Sequence, residues 1–320
     1  MFNLKKSIQI NRGLKIAIFS FLALIIIALP TLASSSRKTH LYVDIKAGDE
    51  QDGSSSHPYD SINEAIDHAK NKDGVEIHVA KGEYKENITL RNGIKLFGED
   101  REKTIIKAKK GKNEAISMKN NSTINGFTIK NGKSGIWVER DAKASIINCI
   151  IKDNDNGIAI EGGDTKSSNQ VSISKTKIKN NSRSGIYSAG ARKISITENE
   201  IFGNKKDGID LARETKAWIE ENSIRENGGS GMKLVLDESE IWTKRNDIRE
   251  NKREGIEIAS FGGYGRVDIA KSKIVKNGLF GIARLQRAGN INWNNFFTLS
   301  NQTEVWRNFS GNISHIIYIK

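Results

Sequence analysis

The sequence has 320 residues, enough for one long repeat domain or two ordinary ones, and its 51 Lys and Arg residues against 38 Asp and Glu residues give a formal net charge of +13. A basic surface favours polyanions, namely nucleic acid, an anionic membrane or an acidic polysaccharide, although a solvated lysine-rich surface has the same composition. Cys149 is the single cysteine, which excludes a disulfide framework within the chain. Stability must therefore come from another source, and stacking of repeats is one.

The first 33 residues have the order of a secretory signal peptide. Four basic residues precede an apolar run of 14 residues, Ile16 to Leu29, and Ala33 follows Pro30 at the position that a signal peptidase reads. The run is shorter than the about 20 residues that span a bilayer. We therefore expect residues 1–33 to be removed and no membrane span to remain, which places the mature chain outside the cytoplasm, in the periplasm, in the medium or on the cell surface. An uncleaved membrane anchor is the alternative.

A short helix is predicted near the start of the mature chain, within residues 57–73. Ser61 with Glu64 three residues later forms a capping box, the pattern that begins a helix. An apolar stripe at helical spacing follows, made of Ile62, Ala65, Ile66 and Ala69. Because a β-helix ends in an open sheet edge, such a helix is suited to cover its first coil.

An internal repeat with a period of 22 to 28 residues dominates the rest of the chain. Each unit contains a glycine followed by Ile or Met, at Gly135, Gly157, Gly185, Gly208, Gly231, Gly255 and Gly281. The first and third positions after the glycine are apolar in most units, an alternation typical of a strand with one buried face. An Asn lies three or four residues before each glycine, and since Asn and Gly tolerate positive φ we expect them to turn the chain sharply.

The period fits a coil of three short strands and three turns, stacked on the next coil at about 4.8 Å. We predict an all-β fold, a single-stranded right-handed parallel β-helix of about ten coils with a short N-terminal capping helix. The domain covers residues 34–320, with coils over about 75–290 and an aromatic-rich C-terminal cap, or a subunit interface, over 291–320. A leucine-rich repeat has a similar period, but these units are Ile-rich and show no helical periodicity.

The repeat units resemble those of the pectate-lyase-like superfamily of parallel β-helix proteins. Two units carry the resemblance well, ISITENEIFGNKKDGIDL at 194–211 and AWIEENSIRENGGSGMKL at 217–234, and it extends over roughly residues 75–300. Residues 57–108 resemble the opening of pectin methylesterases, including a Gly-x-Tyr-x-Glu motif that ends in Tyr84 and Glu86. The resemblance implies a β-helix whose first coil is capped by a helix, so we expect Tyr84 and Glu86 to be structural.

The enzyme motifs of that superfamily are missing from the sequence. The Gln-Asp-Thr, Asp-Phe-x-x-Gly and Gly-Arg-Pro-Trp segments of methylesterases do not occur, nor do the Asn-Thr-Asp and Gly-His-Gly segments of polygalacturonases or the Asp-Pro-His-Asp motif of alginate epimerases. No spacing indicates a zinc site, a nucleotide loop or a serine triad. If the protein is an enzyme, it is a polysaccharide lyase or a uronate epimerase of a different kind.

The candidate site is a column of outward-pointing residues, two positions after each repeat glycine. Along the axis the column reads Trp137, Ala159, Tyr187, Asp210, Lys233, Glu257 and Ala283. Exposed aromatic faces suit stacking on sugars, so Trp137 and Tyr187 are candidate ligand-binding residues, with packing under a loop as the alternative. Arg284, at the far end, is a candidate contact for acidic sugar groups.

Lys233 is the candidate catalytic residue, because polysaccharide lyases remove a proton α to a uronate carboxyl with a base. Its position between Asp210 and Glu257 favours the charged lysine, which makes a poor base at neutral pH. A salt-bridge ladder along the column explains the same residues. The two carboxylates are also candidate Ca²⁺ ligands if Lys233 moves away.

Two further columns are interpreted as structural. The Asn residues before the repeat glycines, from Asn131 to Asn277, and a second set that includes Asn148 and Asn199 are expected to stack and hydrogen-bond along the axis. Cys149 aligns with Thr176 and Asn199 in the second set, which indicates a packed, inert thiol.

Two functions remain open from the sequence. The first is a secreted β-helix that binds, and cleaves or epimerises, an acidic polysaccharide on its outer face. The second is a non-catalytic surface or adhesive module. A nucleic-acid binder is motivated by charge alone, and the signal peptide argues against it, so we expect no nucleic-acid partner.

Overall fold

The computed structural model describes residues 39–69, 74–109, 113–162, 168–188, 190, 193–212, 214–260, 265–287, 295–299 and 302–318. The predicted signal peptide, residues 1–33, lies outside the described residues.

The described residues form one helix, α1 (Ile62–His68), and three parallel sheets with 11, 10 and 10 strands. Sheet A contains β1 (His40–Val43), β2 (Glu76–Val79), β5 (Lys95–Gly98), β8 (Ser122–Asn125), β11 (Lys143–Ile147), β14 (Gln170–Ser174), β17 (Lys193–Thr197), β20 (Lys216–Glu220), β23 (Glu240–Lys244), β26 (Gly265–Ala270) and β29 (Asn295–Leu299). Sheet B contains β3 (Gly82–Tyr84), β6 (Thr104–Lys107), β9 (Thr128–Lys130), β12 (Ile150–Lys152), β15 (Lys177–Lys179), β18 (Glu200–Phe202), β21 (Ser223–Arg225), β24 (Asp247–Arg249), β27 (Lys273–Val275) and β30 (Glu304–Trp306). Sheet C contains β4 (Ile88–Leu90), β7 (Ile116–Met118), β10 (Ser134–Val138), β13 (Asn156–Ile160), β16 (Ile186–Ser188), β19 (Ile209–Leu211), β22 (Met232–Val235), β25 (Ile256–Ser260), β28 (Phe280–Arg287) and β31 (Gly311–Tyr318).

The chain visits sheets A, B and C in turn, and each strand from β2 onward pairs in parallel with the strand three places later in the chain. This is the topology of a parallel β-helix, so the predicted fold class is confirmed. The side chains that alternate inward from the three sheets form the core. Ile209 and Ile256, predicted to point inward, are fully buried, as is the column of isoleucines in sheet B that includes Ile178, Ile201 and Ile224.

The repeat glycines are required by close packing between coils. A Cβ added to Gly208 would lie 2.6 Å from the carbonyl oxygen of Gly231 and 2.9 Å from Nδ2 of Asn227. Such distances are too short for any side chain, so this position accepts glycine alone. The expectation that these glycines turn the chain through positive φ is wrong, because Gly208 and its equivalents do not have positive φ.

A buried ladder of asparagine side chains follows the turn between sheets B and C. Its members are Asn154, Asn181, Asn204, Asn227, Asn251, Asn277 and Asn308. In a typical rung, the backbone N–H and the Nδ2 of Asn204 both donate to Oδ1 of Asn227, at 3.2 and 2.9 Å. Nδ2 of Asn204 also donates to the carbonyl oxygen of Ile178. The ladder thus satisfies buried polar groups in consecutive coils, as predicted.

A second ladder follows the turn between sheets A and B, where each backbone N–H donates to the side-chain oxygen of the next coil. Its members are Cys149, Thr176, Asn199, Asn222, Asn246 and Ser272. Cys149 is buried, its Sγ donates to the carbonyl oxygen of Ile147, and burial raises the pKa of its thiol to about 11. The thiol is therefore the inert, packed group that the alignment indicated.

Asn131 and Asn148 do not belong to these ladders, and the sequence-based alignment is wrong at both. Each occupies the position one residue earlier, where the chain has left-handed φ values of 69° and 50°. In later coils this turn position is filled mainly by charged residues, such as Glu198 and Glu250. The sharp turns are thus made by the residue before the ladder, while the ladder side chain fixes them.

The N-terminal helix α1 packs against β1, β2 and β4. Its apolar stripe is buried, and Oγ of Ser61 accepts a hydrogen bond from the backbone N–H of Glu64, as the capping pattern predicted. The carboxylate of Glu86 completes the cap by accepting hydrogen bonds from the backbone N–H groups of Ile62 and Asn63, at 3.0 and 2.9 Å. A carboxylate at a helix N-terminus is favoured by the helix dipole.

Tyr84, the other residue of the Gly-x-Tyr-x-Glu motif, ends β3 and is buried. Its hydroxyl donates to the carbonyl oxygen of Ala80 and accepts from the backbone N–H of Ile45. Burial raises the pKa of Tyr84 to about 12. Both residues of the motif therefore have structural contacts, as expected.

Beyond residue 290, strands β29, β30 and β31 pair in parallel with β26, β27 and β28. The segment predicted to be a C-terminal cap contributes these strands. Its capping role stays a prediction.

Candidate ligand-binding face

The predicted column lies on the outer face of sheet C, in the predicted register. Parallel pairing places its residues directly opposite one another in the order Trp137, Ala159, Tyr187, Asp210, Lys233, Glu257 and Ala283. The flanking positions on each strand, such as Ile209 and Leu211 beside Asp210, are buried in the core. The alternation of a strand therefore directs the column away from the core.

The aromatic end of the column is interrupted. Trp137 and Tyr187 are both partly exposed, but Ala159, the residue between them, is buried. The two rings are thus two rungs apart and offer separate stacking surfaces to an extended ligand.

Asp210 and Lys233 form the centre of the column. Nζ of Lys233 lies 3.9 Å from Oδ1 of Asp210, and the side chain of Lys233 is the more exposed of the two, at 37% against 19%. Burial raises the pKa of Asp210 above its usual value, although the charge of Lys233 opposes the shift. Desolvation thus outweighs the ion pair at this carboxyl.

Glu257 contacts a different set of groups from those that the simple ladder predicted. It is 8% exposed, and its Oε2 lies 3.1 Å from Oγ of Ser230, which is also 3.0 Å from Oε2 of the buried Glu254. A guanidinium nitrogen of Arg253 lies 3.7 Å from the same Glu257 oxygen. Burial and the neighbouring Glu254 carboxylate together raise the pKa of Glu257.

A shallow cleft of about 300 Å³ opens beside this segment. It is lined by Lys205, Lys206, Asp207, Gly228, Gly229, Lys233, Arg253 and Glu257. Four cationic side chains and the carboxylate of Asp207 thus line the same cleft as Glu257, whose pKa is raised. Groups with perturbed pKa values in a cleft mark candidate functional sites, because burial of an ionisable group rarely benefits the fold.

Sequence reasoning missed Ser230, Arg253 and Glu254. They lie in the turn before a sheet C strand, where no hydrophobic alternation sets their direction. The available signal was the concentration of charge in the four residues before Gly208 and Gly255.

The predicted Ca²⁺ ligands, Asp210 and Glu257, lie on rungs on either side of Lys233. In the part of the chain that the structure describes, they do not belong to any group of three or more His, Cys, Asp or Glu side chains with converging ligand atoms. A Ca²⁺ site here would need Lys233 to move.

Arg284 does not share the column. It pairs with Ile258, a buried core-facing residue, whereas Glu257 pairs with Ala283. Burial lowers the pKa of Arg284. Strand pairing therefore places Arg284 in register with the inward-facing residues. The predicted contact of Arg284 with a ligand on the outer face stays a proposal.

A second surface, on the outer face of sheet A, was not found from the sequence. Consecutive strands place small hydroxyl side chains in one column, at Thr123, Ser145, Ser172 and Ser195. Trp218 continues the column, is 42% exposed, and stacks on Trp242 with ring centroids 5.0 Å apart. A cleft of about 470 Å³ runs along these residues, with Lys143 and Lys193 at its side.

Within the described residues, no helix is long and apolar enough to cross a membrane.

Comparison with known families and curated proteins gives partial matches. Residues 165–314 match the family described as right-handed β-helix region. A cell surface glycoprotein of Methanothermus fervidus is 36% identical over 98 residues, which is 30% of this chain and 16% of that protein. The chain therefore spans about a sixth of the length of this curated relative.

Solved structures share the fold at low sequence identity. A pectate lyase aligns with a TM-score of 0.61 and 14% identity over 84% of this chain and 79% of its own. An alginate lyase from Paenibacillus aligns with a TM-score of 0.58 and 13% identity, covering 81% and 96% of the two chains. The A-module of a mannuronan C-5 epimerase from Azotobacter vinelandii aligns with a TM-score of 0.54 and 16% identity, covering 87% and 97%. The chain therefore has the right-handed parallel β-helix fold of these solved structures.

Proposed function

We propose that this protein is exported and binds an acidic polysaccharide along the outer face of sheet C. The observation that carries the proposal is the cleft lined by Lys205, Lys206, Lys233 and Arg253 together with the carboxylates of Asp207 and Glu257. Cationic side chains of this kind attract a polyanionic chain.

The length of the face suits a chain ligand. Trp137 and Glu257 are five rungs apart, which is about 24 Å at the spacing of strands in a sheet. A small molecule would instead need an enclosed pocket. Tyr187 would stack on one sugar ring while Lys233 and Arg253 meet the carboxylates of neighbouring sugars.

Three proteins with this fold, the pectate lyase, the alginate lyase and the mannuronan epimerase, have names that refer to acidic polysaccharides. Their likeness to this chain supports the choice of ligand class through the fold alone.

Turnover would be β-elimination or epimerisation at a uronate. In elimination a base takes the proton α to the carboxyl, the bond to the leaving oxygen breaks, a double bond forms in the ring, and an acid protonates the leaving group. Lys233 is the candidate base, and Glu257, whose raised pKa helps it to hold a proton, is a candidate acid. The ion pair of Lys233 with Asp210 opposes the role of base, so binding is the primary proposal.

The test is to incubate residues 34–320 with polygalacturonate, alginate and a neutral glucan, each with Ca²⁺ and with a chelator. Ultraviolet absorbance follows the unsaturated product, and calorimetry follows binding. We expect a uronate polymer to bind and the neutral glucan not to bind, with binding that weakens as salt is raised. Equal binding of all three polymers, or of none, contradicts the proposal.

A pair of lysine variants locates the site. Lys233→Ala removes a cation from the column, whereas Lys177→Ala removes one from sheet B, where Lys177 is paired with Glu200 at 3.3 Å. The two changes remove the same charge, so we expect only Lys233→Ala to weaken binding of the uronate polymer. Loss of turnover with retained binding in Lys233→Ala would assign it the role of base.

A non-catalytic surface module is the second candidate, and the sheet A surface is the observation that favours it. An exposed Trp beside a row of hydroxyl groups and two lysines suits stacking and hydrogen bonding to sugars without acid or base chemistry. In that case Trp218→Ala would abolish glycan binding and no unsaturated product would form.

Export is proposed from the order of residues in the first 33 positions. N-terminal sequencing of the secreted protein should begin at or near Ser34. A secreted chain that retains Met1 contradicts this cleavage.

A further inference from the structure

The first two strands of sheet A bring together three side chains that commonly bind metals. Glu76 and His78 are two residues apart in β2, so both lie on the same face of the sheet. His40, in the edge strand β1, pairs directly with Glu76. Strand pairing therefore gathers residues that are 36 and 38 positions apart in the sequence.

Their ligand atoms already converge. Nδ1 of His40 lies 3.1 Å from Nε2 of His78 and 3.9 Å from Oε2 of Glu76, and all three ligand atoms lie within 4.8 Å of one another. Two imidazole nitrogens bound to one tetrahedral Zn²⁺ ion at about 2.0–2.1 Å are about 3.3 Å apart. The spacing of the two nitrogens matches that geometry.

We propose that His40, Glu76 and His78 bind one divalent transition-metal ion of the Zn²⁺ type. Two imidazoles and a carboxylate form a common ligand set for zinc, and three protein ligands leave a fourth tetrahedral position for water or another group. Imidazole ligands favour Zn²⁺, Cu²⁺ and Ni²⁺ over Ca²⁺ and Mg²⁺, which prefer oxygen.

The surroundings hold the rings in place. The ring of His78 lies between His40 and Phe97, with centroid distances of 5.4 and 5.6 Å, and it also stacks on Tyr42. Nζ of Lys95 lies 3.4 Å from Oε1 of Glu76, and Oε2 of the same carboxylate faces Nδ1 of His40.

Metal binding here would join the edge strand β1 to β2. In the described residues β1 is the terminal strand of sheet A, so its outer edge has no further strand of that sheet beside it. An ion shared by the two strands would bind the folded state and not the separated strands, so the free energy of unfolding would rise with the logarithm of the free ion concentration once that concentration exceeds Kd.

The test is calorimetric titration of residues 34–320 with Zn²⁺, and separately with Ca²⁺ and Mg²⁺. We expect one Zn²⁺ site, no site for Ca²⁺ or Mg²⁺ at this position, and a rise in melting temperature with Zn²⁺. Co²⁺ substitution should give the visible absorption of tetrahedral cobalt, which reports coordination directly.

His78→Gln and His40→Gln should each weaken Zn²⁺ binding at least tenfold. His57→Gln is the matched control, since His57 lies 3.8 Å from Glu50 and has the same pairing with a carboxylate but no second histidine. His57→Gln should bind Zn²⁺ as the parent does. The proposal is overturned if all three variants bind alike, or if the parent gives no Zn²⁺ site. Circular dichroism of each variant separates loss of ligand from loss of fold.

Discussion

Two columns of polar side chains follow the same β-helix and are satisfied in different ways. In the asparagine ladder each amide donates to one coil and accepts from another, as Asn227 does with Asn251 and Asn204. In the outer column of sheet C, Asp210 and Glu257 have pKa values raised by burial. The first column stabilises the stack, whereas the second retains desolvated carboxyl groups that oppose folding at neutral pH. Ionisable groups kept at such a cost are typical of functional sites.

The largest expected effect comes from a residue beside the column. Ile209→Asp places an unpaired carboxylate in the core. It should lower the free energy of unfolding by more than about 4 kcal/mol, enough to unfold the neighbouring coils. Urea unfolding followed by circular dichroism measures it. A small change in the midpoint would mean that Ile209 points outward and the register is wrong.

Asn227→Ala tests the asparagine ladder. It removes the acceptor used by Asn204 and the donor to Ile201, and each buried group left unpaired should cost about 1–3 kcal/mol. The same unfolding assay gives the value. Lys252→Ala, next to the ladder residue Asn251 but exposed, is the control and should change stability little. Equal losses in the two variants would show that the ladder is not what stabilises the turns.

Glu257→Gln should instead stabilise the protein, raising its free energy of unfolding by about 1 kcal/mol at pH 7. The pKa of Glu257 is raised in the folded state relative to the unfolded state. Its contribution to the free energy of unfolding is therefore fully present below the pKa of the unfolded state and is lost as pH rises through the pKa of the folded state. At neutral pH the ionised carboxyl is a net cost, which the amide removes. Melting curves of parent and variant should therefore separate at pH 7 and converge at acidic pH. A variant that is less stable than the parent at pH 7 contradicts this assignment.

Lys233→Ala should have the smallest effect on stability, within about 0.5 kcal/mol, because its ion pair with Asp210 is long and its side chain partly exposed. Thermal melts of the two proteins measure the difference. A loss as large as that of Asn227→Ala would make the outer column a second stabilising ladder and remove the contrast between the two columns.

The fold was predictable because hydrophobic alternation and repeat spacing are local properties of the sequence. Ile209 and Ile256 were assigned inward, and the order of the outer column was predicted from the positions of the repeat glycines. The assignment of Asn131 to the ladder was wrong because Asn131 lies one residue before the ladder position, in the left-handed turn. Its spacing to the repeat glycine alone does not distinguish the two positions.

The site was less predictable because its contacts come from turns and from distant strands. Arg253 and Glu254 reach Glu257 from a turn that has no periodic pattern. His40 and His78 meet only through the pairing of β1 with β2, which lies before the recognisable repeats. Arg284 follows the last repeat glycine at a position that pairing aligns with the core.

The most direct test of the account compares the two candidate faces in one binding assay. The affinity of an oligouronate long enough to span the column is measured by calorimetry for the parent, for Tyr187→Ala/Lys233→Ala on sheet C, and for Trp218→Ala on sheet A. Loss of a stacking ring and a cation should weaken binding by about tenfold or more in the sheet C variant, equivalent to at least about 1.4 kcal/mol, while Trp218→Ala binds as the parent does. Unchanged affinity in the sheet C variant with loss in Trp218→Ala would contradict the account and place the ligand on sheet A.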